Sequence, residues 1–149
     1  MSYSPFSYNP QSTGSAEAIV TNYTNSSAIT AIPQAQAVSV NSSGLLVPLD
    51  VSSQASWQAF VGFADIRIPA SSVGPVIANG RLQNITTALP LGTPLYIGTD
   101  GNPTNIIPSV GVNGFVSGMM VIFMGVLVKN EVVPSEIDIA LFTQMVATL

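Results

Sequence analysis

A chain of 149 residues and 15.4 kDa is the size of one ordinary domain, and its 47% apolar residues are enough to build a core. Only 7% of residues are charged, three basic (Arg67, Arg81, Lys129) against seven acidic, for a net charge of −4, and there is neither Cys nor His. These counts exclude a disulfide scaffold, a Cys/His zinc site and a Ser-His or Cys-His catalytic pair, and three scattered cations cannot neutralise a run of phosphates.

Residues 1–35 differ from the rest. Sixteen of them are Ser, Thr, Asn or Gln, and Glu17 is their one charge. Pro5, Pro10 and Pro33 favour extended chain over helix, although Ser15–Val20 allows a short helical turn. Tyr3, Phe6 and Tyr8 cluster near the start. The segment is expected to be an extended N-terminal arm that contacts another chain through these three rings. Residues 36–149 are expected to form one β-domain.

From Ala35 onward the signals are those of strands and turns. Ala37–Val40 and Leu45–Leu49 flank Asn41-Ser42-Ser43-Gly44, a turn composition. Ser52–Phe60, around Trp57, is the one stretch with a short helical pattern. Phe60–Ile68 is predicted as a strand, with Phe63, Asp65 and Arg67 on one face and Ala64, Ile66 and Ile68 on the other. Asn79-Gly80 between Val76–Ala78 and Arg81–Thr86 predicts a two-residue hairpin, because both residues tolerate positive φ. Thr99-Asp100-Gly101-Asn102 after Thr93–Ile97, and Asn113-Gly114, read the same way. Phe115–Val128 is an apolar run of 14 residues, shorter than the roughly 18 a spanning helix needs and interrupted by Gly118 and Gly125. It is expected to be buried strand, with Val121–Lys129 as its regular part. Glu136–Leu141 alternates, placing Ile137, Ile139 and Leu141 on one face and Glu136 and Asp138 on the other. The predicted fold is all-β: a single small sandwich or barrel of short antiparallel strands with an extended N-terminal arm.

Little in the chain suits catalysis. Asp50, Asp65 and Asp100 lie in or beside strands and turns, where a carboxylate serves local structure more often than acid–base work. Asp100-Gly101-Asn102 opens like a calcium loop but lacks the later ligands. No catalytic, cofactor-binding or metal-binding residue is assigned, and no cofactor, nucleic-acid or membrane partner is expected. Trp57, beside Phe60, is a candidate for the core or for a partner contact. The scarcity of charge says more. A folded chain of this size still exposes about a third of its unfolded surface. Strand edges are ordinarily guarded by charge, and here they have little of it. Much of the surface is therefore expected to be covered by other subunits.

Several stretches carry a resemblance: Gly80-Arg81-Leu82-Gln83-Asn84-Ile85, Leu91-Gly92-Thr93-Pro94-Leu95-Tyr96-Ile97-Gly98-Thr99-Asp100-Gly101, Gly114-Phe115, Val121-Ile122-Phe123-Met124-Gly125-Val126, Lys129-Asn130 and Ile137-Asp138-Ile139. Over residues 36–145 this pattern resembles capsid decoration (cement) proteins of tailed bacteriophages and related β modules of tails and fibres. The resemblance implies a structural virion protein without catalysis, with the major capsid protein and copies of itself as partners. The alternatives are a tail, baseplate or fibre-base component and, more distantly, a receptor- or glycan-binding module. That last reading needs an exposed aromatic platform, and Trp57 is the single indole.

Overall fold

A computed structural model describes residues 19–149. In chain order the described elements are β1 (Ile19–Thr24), β2 (Ala37–Val40), β3 (Leu46–Pro48), α1 (Gln54–Gln58), β4 (Phe60–Ala64), β5 (Val73–Asn79), β6 (Arg81–Leu82), β7 (Pro94–Ile97), β8 (Pro103–Thr104), β9 (Met120–Lys129) and β10 (Ile137–Thr148). They make two five-stranded antiparallel sheets, ordered β1-β5-β4-β2-β3 and β6-β10-β9-β7-β8. The sheets do not close on each other, so of the two expected all-β forms the chain adopts the open sandwich rather than the barrel.

Apolar residues from the facing sides of both sheets form the main core. Ala37, Phe63 and Ile77 of the first sheet meet Leu95, Ile122, Met124, Leu127, Ile139 and Leu141 of the second. The first sheet is buried on its other face too. Val38, Ala64 and Val76, the chain neighbours of those three residues, pack with Ile32, Leu46 and Ile68 in a second cluster. Consecutive buried residues on one strand mean that both pleat faces are covered. The cover comes from the loops around Ile32 and Ile68, which bond each other's backbones at 2.9 and 2.8 Å. Asn25, itself buried, pins the same loops by donating from Nδ2 to the carbonyls of Thr30, Ile68 and Pro69.

This arrangement places the start of the folded domain earlier than residue 36. Within the expected arm, Ile19–Thr24 is β1, paired along its length with β5, and Ile32 and Ala35 are core residues. The polar composition of this stretch hid an edge strand, which needs only one buried flank. Residues 1–18, with Tyr3, Phe6 and Tyr8 and most of Ser15–Val20, lie outside the described residues.

The turn predictions divide. Asn41–Gly44 joins β2 to β3, with Asn41 Oδ1 accepting from the Ser43 and Leu45 amides. Residues 98–102 join β7 to β8, and Asp100 Oδ1 accepts from the Asn102 amide at 2.9 Å. Asn113 and Gly114 both have positive φ, 48° and 82°, closing a Val112–Phe115 turn that lies in a loop rather than between paired strands. Asn79-Gly80 is a corner and not a hairpin. Gly80 alone has positive φ, 111°, whereas a type I′ turn needs it at both residues. β5 and β6 therefore run on into different sheets, and this one strand path ties the sandwich together.

Other expectations shift at their edges. Phe60–Ile68 stops being strand at Ala64, and Ile68 returns as the isolated bridge to Ile32. Arg81–Thr86 shortens to two residues, whereas the strand expected to end at Leu141 runs to Thr148. The helical pattern at Ser52–Phe60 is one short turn, α1, capped by Ser53 Oγ on the Ser56 amide. The apolar run contributes β9, and no helix among the described residues is long and apolar enough to cross a membrane.

Candidate interaction surface

On the face of the second sheet turned away from the core, Tyr96, Phe123 and Val126 are half-buried and Val121 and Ala140 are buried. Along β9 the core takes Met120, Ile122, Met124 and Leu127, and along β7 it takes Leu95 and Ile97. The intervening side chains are left on the opposite face. Register places Tyr96 beside Phe123 and Gln144, Pro94 beside Val126 and Ala140, and Val121 beside Ala147. The rings of Tyr96 and Phe123 meet edge to face at 5.6 Å. Neither apolar cluster of the described residues includes any of these side chains. An antiparallel sheet that faces water ordinarily alternates apolar inward with polar outward. β9, Met-Val-Ile-Phe-Met-Gly-Val-Leu-Val-Lys, is apolar on both sides until its last residue.

β10 extends this surface at its rim. β6 pairs only with Ile139 and Ala140, and the Leu141 amide donates to the Gly80 carbonyl. From Phe142 to Thr148 no described strand pairs with that side of β10. Phe142 is 61% exposed and Val146 57%. Two bulges, at Leu141/Gln144 and Met145/Ala147, kink this length. They interrupt the flat ladder that would template indiscriminate edge pairing. What remains is an apolar sheet face with an aromatic rim.

On the strands of this sheet charge is confined to one corner, and Asp100 stands apart at the tip of the β7–β8 turn. Arg81 on β6 reaches Glu131 at 3.4 Å and the fully buried Asp138 at 3.8 Å. Asp138 accepts from Asn130 Nδ2 at 2.9 Å and from the Asn84 amide at 3.2 Å. The alternation of Glu136–Leu141 places Asp138 on the face opposite Ile139 and Leu141, without saying whether that face is covered. The neighbours of Asp138 enclose and satisfy it, which is how a buried carboxylate is tolerated. Asn130 Oδ1 in turn accepts from the Val132 and Val133 amides and shapes the β9–β10 connection.

The remaining carboxylates among the described residues serve turns or stand alone. Asp50 Oδ1 accepts from the Ser52 amide at 2.9 Å, and Asp100 bonds both the amide and the side chain of Asn102. Burial raises the Asp65 carboxyl above its ordinary value of 3.8. The folded chain thus holds that proton more tightly than the unfolded one, and its penalty is complete once pH exceeds the raised value. Asp65→Asn is expected to raise the melting temperature at neutral pH, with the gain vanishing as pH falls below 3.8, as thermal scans across pH would record. Among the described residues no group of three or more His, Cys, Asp or Glu could hold a metal ion. A cleft of about 430 Å³ opens beside Gln34, Ile85, Thr86, Leu95 and Pro103, and no charged side chain lines it.

Trp57, the one described partner-contact candidate, sits half-buried in α1 against the main core. It is not brought together with Tyr96, Phe123 and Phe142, which sequence reasoning passed over. Apolar residues at both parities of Val121–Val128 are the signal available in the sequence, and the expectation of a buried strand assigns them to the domain's own core. No known protein family, curated protein or solved structure matches the chain.

Proposed function

We propose that this chain is a non-catalytic structural protein of a tailed-bacteriophage virion, and specifically one that decorates and stabilises the capsid as a cement protein. The exposed apolar side chains Phe142, Met145 and Val146, along the length of β10 that lacks a described partner on one side, carry the reading, because apolar surface on a protein with few charges suits burial against other subunits. The sequence pattern over residues 36–145 supplies the virion context. A cement protein bridges subunit junctions and opposes the outward pressure of packaged DNA. Contacts on that scale need about 1,600 Å² of buried surface, and engaging several neighbours adds avidity. Such work calls for a stable wedge with adhesive faces, and the two-sheet sandwich offers that.

The test is reconstitution. Particles lacking the protein are mixed with the purified chain, and bound copies are counted while capsid rupture is followed on heating. Saturable binding of hundreds of copies with a higher rupture temperature is expected. A count fixed at a small multiple of three or six assigns the chain to the tail or baseplate instead. Failure to bind any virion component defeats the reading.

A further inference from the structure

We infer that the outer face of the second sheet is the docking site for residues 1–18 of a second copy of this chain. The inference rests on the assembly reading above and names the partner of that surface.

Three observations support this occupant: two match residues 1–18 to the face, and the third lets the segment come from a second copy. The first is chemical match. The face carries half-buried Tyr96, Phe123 and Val126 with exposed Phe142 at its rim, and the charges on its strands stay at the Arg81–Asp138 corner. Residues 1–18 carry Tyr3, Phe6 and Tyr8 and a single charge, Glu17, next to the point where they join the domain. Docking the ring-bearing part buries no charge on either side, which avoids the main cost of closing an interface.

The second is the point of attachment. Ile19 pairs with Asn79, and the next residue, Gly80, accepts the Leu141 amide. The segment therefore joins the fold where β10 loses its β6 partner and its exposed length begins.

The third is reach. Five strands set about 4.8 Å apart make the sheet about 19 Å across. Tyr8 lies eleven residues before Ile19 and Tyr3 sixteen. At about 3.3 Å per residue those spans are about 36 and 53 Å. Both exceed the width of the segment's own sheet, so the rings can land on a neighbouring copy. Exchange of this kind, repeated from copy to copy, gives each molecule one donated segment and one occupied face, which is a heterologous contact able to build rings or lattices.

The test uses the full chain with a photoreactive benzophenone amino acid in place of Phe6. Heavy-isotope-labelled and unlabelled copies are mixed, irradiated without any particle present, and mapped by mass spectrometry. Cross-links of mixed isotope label from position 6 to the β9 or β10 peptides around Phe123 and Phe142 are expected. Cross-links of single label only mean that the segment folds onto its own chain, and they overturn the second-copy inference. Cross-links to other surfaces, or none, overturn the site. A second measurement guards against perturbation by the probe. The variant Tyr3→Ser/Phe6→Ser/Tyr8→Ser alters no described residue. It is expected to keep the wild-type circular dichroism and to weaken self-association in sedimentation by about tenfold or more. Unchanged association overturns the inference. Both readouts use the free protein, so a failure here is separable from a failure to bind capsids.

Discussion

Gly125→Ala is expected to lower stability by about 4 kcal/mol, a large share of a total margin of about 5–15 kcal/mol. A Cβ at this position falls on the carbonyl oxygen of Ala140. Overpacking in a core ordinarily costs about 1–3 kcal/mol because side chains can shift rotamer. Here the obstacle is backbone, and it is held from both sides. Ala140 pairs with Val126 on β9 and with Arg81 on β6. Gly125 also stands at a bulge, where the β7 register advances from Leu95/Gly125 to Tyr96/Phe123. That bulge changes the parity of β9, so that Met124 and Leu127 both face the core. Gly62 occupies the matching place in the first sheet, at the β2–β4 bulge, where an added Cβ would lie 2.5 Å from the Ile77 carbonyl oxygen. Gly118→Ala is the control, because nothing lies within 4 Å of its added Cβ and only its φ of +95° opposes the change. Urea titration distinguishes them: the midpoint drops far more for Gly125→Ala than for Gly118→Ala. Equal midpoints would show that β10 can move aside, contrary to the pairing described.

Asp138→Ala is expected to cost about 3 kcal/mol, in the range for breaking a buried charged network by deleting one member. The loss has two parts. The Asn130 amide and the Asn84 N–H lose their acceptor inside the fold, and Arg81 loses its buried partner. Asn130 then holds the Val132 and Val133 amides less firmly, which loosens the connection between the two longest strands. Asp138→Asn retains the shape and an acceptor oxygen and is expected to lose roughly half as much. A double-mutant cycle with Asn130→Ala measures the shared portion, and strict additivity of the two losses would dismantle the network argument.

The candidate surface was only partly legible in the sequence. The shortage of charge pointed to covered surface, and that argument needs no coordinates. Trp57 drew attention as the single indole, but a side chain's role depends on which core it meets, and α1 turns it toward the main one. Tyr96, Phe123 and Phe142 lie far apart in the chain. Only the pairing of β7, β9 and β10 brings the first two together and leaves the third at the rim.

By itself the sequence determined the all-β class, the β2–β3 and β7–β8 turns and the strand character of Val121–Lys129. Each of these rests on local physics: Gly and Asn accept positive φ, Asp and Asn bond neighbouring amides, and β-branched residues favour extended chain. Tertiary structure decided the rest. It made Asn79-Gly80 a corner, because β5 and β6 find partners in different sheets. It drew Ile19–Thr24 into the domain, because an edge strand can be polar and still complete a ladder with β5. It carried β10 on to Thr148, although bulges there erase the period-two signature that sequence reading depends on. It also buried Asp138, because Arg81, Asn84 and Asn130 converge on it from separate places in the chain. Each of these outcomes depends on contacts between residues distant in sequence, and no local pattern encodes those.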